Sequence, residues 1–286
     1  MAALTPTADT LSTLLRLLDD DTPEVRTSLS EALEVFGGDV SELLAQTANP
    51  PRGEDLKLLS SLLRPARRRR LRREWIVPSN GVNGLDDDWD RVESLLRMIS
   101  DYLHDGVTVR QPLGDALDFL AEENEPRLLA TGPRELCQYM LRGQPLRCEP
   151  KTDLRPEQLD LAAAATGAIS CPLGEGLVLL LTLRRLNVDL EGLSLPGTFY
   201  IRVEEDGESL ILDPEQGGRI ISEEDFEHRI RRYPQEIRAF CRRAATPGEL
   251  LTRVTEELAM AYSFRGDAED GDLMEELVES LIPTPQ

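Results

Sequence analysis

Histidine is nearly absent from this chain, which has 286 residues but only His104 and His228. Cysteine is also scarce. Its four positions (137, 148, 171 and 241) include no CxxC pair, so the sequence lacks the ligands of a structural zinc site. The irregular cysteine spacing favours a reduced, cytoplasmic protein. We therefore predict neither a metal nor a cofactor.

Aromatic residues and long hydrophobic runs are scarce as well. Aromatics make up 5% of the chain, so the core must consist mainly of Leu, Val, Ile and Ala. The longest apolar stretch, Leu177 to Leu183, is interrupted by Thr182 and is shorter than the ~20 residues that cross a bilayer. The first residues, MAALTPTADT, have neither a basic start nor an apolar core, so we expect no secretion signal.

Basic residues are far fewer than acidic residues. Lys and Arg total 32 and Asp and Glu total 53, which gives a net charge of −21. Such a chain repels nucleic acids and anionic lipids, so we expect no general binding to either. Seven arginines between Arg64 and Arg73 suggest the alternative of a nucleic-acid-associated regulator. We favour a role in neutralising acidic helices of the same chain, because no aromatic residues interleave with the run.

The order of patterns along the chain predicts an α+β protein that is mostly helical. Residues 1–130 show helical periodicity, including a HEAT-like hairpin around DDDTPEVR. Residues 131–246 contain a central apolar helix and then alternating strands. Residues 247–286 form a C-terminal helical pair, whose last helix we place at about 272–281, after the acidic loop RGDAEDGD.

A β-hairpin is predicted around Asp206-Gly207, a strong two-residue turn. Setting Glu205 opposite Glu208 places four apolar side chains on one face of the sheet. The two pairs are Val203 with Leu210, and Ile201 with Leu212.

The stretch AISCPLGEGLVLLL holds the first chemical candidate. Pro172 suits the first turn of a helix, which places Cys171 at or beside the N-cap. Backbone N–H groups and the helix dipole would then favour a thiolate at that sulfur. Cys171 is therefore either a nucleophile or a small residue packed beneath a helix end.

Two further segments are informative, RRLNVDLEGLSLPGTFYIRV and ILDPEQGGRIISEEDFE. Both resemble the SirB-type bacterial transglutaminase-like family. The resemblance implies a central helix packed on a small antiparallel sheet, flanked by helices and followed by a shortened tetratricopeptide-like tail. It also implies a Cys-His-Asp site, in which Asp213 matches the acidic residue. Threonine, at Thr198, stands where the family has histidine, and an ungapped alignment places the family's cysteine at Pro172.

These departures leave three hypotheses. The first is a catalytically inactive, cytoplasmic protein-binding or scaffold module in which Cys171 and Asp213 are vestigial. The second is a cysteine-dependent amidohydrolase, protease or acyltransferase that uses Cys171 with a displaced histidine such as His228. The third is the nucleic-acid-associated regulator. We favour the first and expect the partner to be another protein or a peptide, with no membrane involved.

Overall fold

A computed structural model describes residues 5–143, 145–149 and 154–283. These residues form two compact units. The first unit contains the chain up to residue 76 together with residues 102–110, and the second contains residues 77–101 and the chain from residue 111 onward. The boundaries predicted at residues 130 and 246 stay predictions.

The described residues combine helices with two small sheets, which confirms the predicted α+β class. The helices are α1 (Ala8–Leu15), α2 (Pro23–Leu33), α3 (Ser41–Leu44), α4 (Glu54–Glu74), α5 (Trp89–Leu103), α6 (Leu113–Leu141), α7 (Leu161–Ala165), α8 (Pro172–Arg185), α9 (Glu223–Ile230), α10 (Gln235–Arg242), α11 (Pro247–Arg265) and α12 (Ala268–Leu281). The strands are β1 (Arg147–Cys148), β2 (Ile169–Ser170), β3 (Leu190–Leu195), β4 (Thr198–Glu205), β5 (Glu208–Asp213) and β6 (Arg219–Ile221).

The first unit is built on α1, α2 and α4. Pro23 stands in the first turn of α2, and Gly37 ends the following turn with a φ of 65°. The hydrophobic core of this unit is made largely of leucine. Its fully buried members include Leu11, Leu33 and Leu59.

The arginine run lies on α4 and is used within the first unit. Arg67 is buried, and its Nη1 donates hydrogen bonds to the carbonyl oxygens of Gly38 and Asp105 at 3.3 and 2.9 Å. Arg69 pairs with Glu34. The remaining arginines of the run also take part in interactions. These contacts support the interpretation that the run balances acidic groups of the same chain.

Helix α8 forms the centre of the second unit, and all its residues from Pro172 to Leu183 are buried. One side of α8 packs on β3 and β4, and other parts contact α6 and α7. The antiparallel sheet has the order β3-β4-β5-β6. This arrangement confirms the predicted central helix on a small antiparallel sheet.

The predicted hairpin register is confirmed. Glu205 pairs with Glu208, Val203 with Leu210, and Ile201 with Leu212. Asp206 and Gly207 both have positive φ, at 53° and 81°. This backbone conformation is what a tight turn between twisted strands requires.

The two faces of the sheet pack against different helices. Phe199 points toward α8, and a Cβ on Gly176 of that helix would collide with its ring. On the neighbouring strand β3, a Cβ on Gly192 would lie 2.7 Å from the same ring. The opposite face carries Leu195 and Tyr200, which belong to a core cluster with residues of α9 and α10. The missing side chains of the two glycines therefore let the Phe199 ring lie close to α8.

The C-terminal helical pair is present, but the predicted start of its last helix is wrong. Helix α12 begins at Ala268, inside the segment predicted as an acidic loop. Asp270 and Gly271 are buried, and α12 packs along α11. Tertiary packing thus outweighs the weak helix propensity of Gly271. Across the described residues, no helix has both the length and the apolar character needed to cross a membrane.

Candidate functional site

Cys171 occupies the N-cap of α8, as predicted. Its backbone is extended (φ −93°, ψ 166°), and its Sγ accepts a hydrogen bond from the Gly174 N–H at 3.4 Å. The residue is only 1% exposed. Cys171 therefore contributes to the packing and capping of the helix, and solvent has little access to its sulfur.

One turn further along α8 lies a buried carboxyl group that sequence reasoning missed. Glu175 is 0% exposed, and neither of its oxygens has a hydrogen-bond partner in the part of the chain that the structure describes. Burial raises the pKa of the Glu175 carboxyl to about 8, while an interaction with the Cys148 thiol opposes the shift. At neutral pH this carboxyl is therefore mainly protonated.

Cys148 lies beside Glu175 and Cys171, and these three residues are called the buried cluster below. Strand β1 pairs in parallel with β2, and Cys148 stands opposite Ser170, the residue before Cys171. Burial raises the pKa of the half-buried Cys148 thiol far above its usual range, and the negative charge of ionised Glu175 adds to the shift. Glu175 is thus an electrostatic partner of Cys148 that the sequence alone does not reveal.

A cleft of about 580 Å³ opens beside this cluster, between β1 and the turn that follows β5. The cleft combines two guanidinium groups, a carboxylate, an amide and a thiol. Its lining residues are Leu141, Arg142, Gly143, Arg147, Cys148, Pro214, Glu215, Gln216 and Gly217. Cys148 is the member of the buried cluster that reaches the cleft.

Thr198, which stands where the resembled family has histidine, is held by α11. The Arg253 guanidinium donates hydrogen bonds to the Thr198 carbonyl oxygen at 3.0 Å and to Ser194 Oγ at 2.8 Å. It also lies over the Phe199 ring, 5.7 Å from the centroid. The Thr198 hydroxyl oxygen is buried and has no hydrogen-bond partner among the described residues.

Asp213 is buried, and an arginine and a glutamine bind its carboxylate. Its Oδ2 accepts hydrogen bonds from Gln216 Nε2 at 2.8 Å and from Arg229 Nη1 at 3.3 Å. Arg229 also donates to the Tyr200 hydroxyl. In addition, the Asp213 carbonyl oxygen accepts the Gly218 N–H at 2.9 Å, so Asp213 also shapes the turn after β5.

The structure brings the predicted site residues together only in part. Asp213 and Thr198 lie on the same face of neighbouring strands, the face that carries Tyr200. Helix α8, whose N-cap is Cys171, packs on the opposite face, where Phe199 lies. The cysteine helix and the two other predicted positions are therefore on different faces of the sheet.

The two histidines belong to different units of the chain. His228 is exposed on α9, and its side chain makes no hydrogen bond in the described part of the chain. His104 belongs to the first unit, where its Nε2 lies 2.8 Å from the Thr108 carbonyl oxygen. Among the described residues, no group of three or more His, Cys, Asp or Glu is arranged to hold a metal ion.

Comparison with known proteins agrees with the fold. The family model of the transglutaminase-like superfamily matches residues 111–256. This match covers more than half of the 286 residues, and the chain belongs to the transglutaminase-like superfamily.

Two bacterial relatives match shorter segments. A UPF0162 protein of Pseudomonas aeruginosa is 33% identical over 98 residues, which cover 34% of this chain and 36% of that protein. A UPF0162 protein of Xylella fastidiosa is 42% identical over 48 residues, or 17% of each chain. The chain therefore spans 36% and 17% of the length of these relatives. No solved structure matches.

Proposed function

We propose that this chain is a catalytically inactive, SirB-type member of the transglutaminase-like superfamily that works in the cytoplasm by binding another protein. The observation that carries the proposal is the residue at the base position. Thr198 stands there, and a hydroxyl group cannot take a proton from a thiol near neutral pH. A cysteine nucleophile of this type depends on such a base.

The surroundings of Asp213 support the same proposal. In a Cys-His-Asp site, the acidic residue orients the histidine and stabilises its protonated form. Here the Asp213 carboxylate instead accepts hydrogen bonds from Arg229 and Gln216. Its charge is therefore already paired, and it contributes to local structure without a histidine.

The thiol beside the cleft gives further support. The thiolate is the nucleophilic form of cysteine, and reactive cysteines lie in electropositive, partly exposed surroundings. Cys148 has burial and a carboxyl group beside it, which keep its thiol protonated. Cys171, in turn, is almost entirely removed from solvent.

The protein-binding part of the proposal draws support from the C-terminal helical pair, which we interpret as the shortened tetratricopeptide-like tail. Met260 and Phe264 lie one turn apart on α11 and are 50% and 90% exposed. Neighbouring exposed apolar residues are typical of surfaces that bind other proteins.

An assay of amide and ester turnover tests the inactive assignment. The purified chain is incubated with a glutamine-containing peptide plus a primary amine, and separately with an activated ester. Cys171→Ala is compared with Cys241→Ala, which removes another buried thiol. We expect no turnover above background that depends on Cys171. Turnover lost in Cys171→Ala and kept in Cys241→Ala would instead establish the cysteine-dependent enzyme.

A further inference from the structure

A strongly basic segment stands out in this acidic chain. Between His228 and Arg243 there are six arginines and a single acidic residue, Glu236, whereas the whole chain carries a net charge of −21. The segment covers the end of α9, the connecting turn and all of α10. It is separate from the seven-arginine run of α4.

One carboxylate, Glu227 of α9, lies near three of these arginines. Arg242 of α10 forms two hydrogen bonds to Glu227 of α9, at 2.7 and 2.8 Å. Arg231 lies four residues after Glu227 on the same helical face, and Arg238 lies four residues before Arg242. The Arg242 hydrogen bond lowers the pKa of the Glu227 carboxyl, and the charges of Arg231 and Arg238 act in the same direction.

The cluster has more positive charge than its own carboxylate can neutralise. Within the part of the chain that the structure describes, the Arg231 side chain makes no hydrogen bond or ion pair, and the buried Nε of Arg238 has no hydrogen-bond partner. One glutamate therefore faces three guanidinium groups. Guanidinium groups bind carboxylates and phosphates with paired, charge-assisted hydrogen bonds.

The side chains next to the cluster bear on the class of anion that would fit it. Ile237 is apolar and 38% exposed. A guanidinium already occupies one face of each of the two nearby aromatic rings, since Arg232 lies 4.9 Å from the Tyr233 centroid and Arg243 lies 4.6 Å from the Phe240 centroid. These contacts reduce the ring surface on which nucleic-acid bases could stack. The exposed Ile237, by contrast, suits an apolar side chain of a peptide.

We infer that the Arg231–Arg238–Arg242 cluster is a docking site for an acidic segment of a partner protein, with Ile237 contacting an apolar residue between the acidic ones. This inference deepens the proposed protein-binding function by naming a surface and the chemistry of its partner. The docking site does not involve Cys171. A turnover assay can therefore contradict the inactive assignment without bearing on the docking site, and a binding assay can contradict the docking site without bearing on the inactive assignment.

Fluorescence anisotropy tests the inference with defined probes. The main probe is a labelled seven-residue peptide of Asp and Glu with one central leucine, and a second peptide has alanine in place of that leucine. Binding is measured with the wild-type chain and with the double variant Arg231→Gln/Arg238→Gln. The control is Arg52→Gln, which removes one exposed positive charge outside the cluster.

We expect the double variant to bind the leucine peptide roughly tenfold more weakly, because each exposed charge pair contributes a few-fold. Arg52→Gln should match the wild type, and the alanine peptide should bind several-fold more weakly than the leucine peptide. Affinity should fall as salt is added. Absence of peptide binding, equal binding by the double variant, or tighter binding of a single-stranded thymidine oligonucleotide would overturn the inference.

Discussion

The buried carboxyl of Glu175 gives this chain a dependence of stability on pH that one substitution should remove. Its pKa is about 8 in the folded chain and 4.5 in its ordinary state. Below pH 4.5 the group is neutral in both states, so it carries no ionisation penalty. As pH rises from 4.5 to 8, the Glu175 carboxyl ionises in the unfolded chain but stays protonated in the folded chain. The free energy of unfolding therefore falls progressively over this range.

The size of this loss follows from the pKa difference. Each pH unit between 4.5 and 8 costs about 1.4 kcal/mol of unfolding free energy. The penalty is then about 1 kcal/mol at pH 5, about 3 kcal/mol at pH 7 and about 5 kcal/mol above pH 8. In Glu175→Gln the side chain keeps its shape but cannot ionise. The stability difference between variant and wild type should therefore grow by about 2–3 kcal/mol from pH 5 to pH 7.

Urea unfolding at pH 5, 6, 7 and 8 measures this difference directly. Burying the uncharged amide has its own free-energy cost, which does not change with pH. The test is therefore how the stability difference between Glu175→Gln and the wild type changes with pH, and not its value at one pH. Glu256→Gln removes an exposed carboxyl from α11 and serves as the control, with an expected effect within about 0.5 kcal/mol. A difference for Glu175→Gln that stays flat from pH 5 to pH 8 would refute the reasoning.

Two further predictions concern packing. Gly176→Ala should lower the free energy of unfolding by about 1–3 kcal/mol, because the new methyl group collides with the Phe199 ring. In the control variant Gly114→Ala the methyl group meets nothing within 4 Å, so this variant should be neutral or slightly stabilising. Urea unfolding of both variants measures the difference. Arg253→Met should cost about 3 kcal/mol by thermal or urea unfolding, because it removes hydrogen bonds that join β3 to β4 and the 3.1 Å ion pair with buried Glu257. A loss below about 0.5 kcal/mol would contradict either destabilisation.

Local sequence signals predicted the hairpin and the central helix because both depend on short-range rules. The Asp206-Gly207 turn fixes the strand register, and Pro172 fixes the start of α8. Both features could therefore be derived from a few neighbouring residues.

The buried cluster could not be predicted in the same way. Cys148 is brought to Glu175 by a two-residue parallel pairing between β1 and β2, which are separated by about twenty residues without a clear repeat. Nothing in the alternation of polar and apolar residues marks so short a strand. Likewise, Arg253 reaches Thr198 only through the packing of α11 on the sheet.

The reactivity of Cys171 in the folded chain, relative to the unfolded chain, tests most directly whether the site is inactive. Labelling with iodoacetamide at pH 7.5, with and without urea, is followed at each cysteine by peptide mass spectrometry. Cys137 is 0% exposed and serves as an internal reference for a buried thiol. We predict that folding slows the labelling of Cys171 by roughly 100-fold or more, as expected for a buried group that reacts only on opening. Faster labelling of Cys171 in the folded chain than in urea would reveal an activated nucleophile and contradict the account.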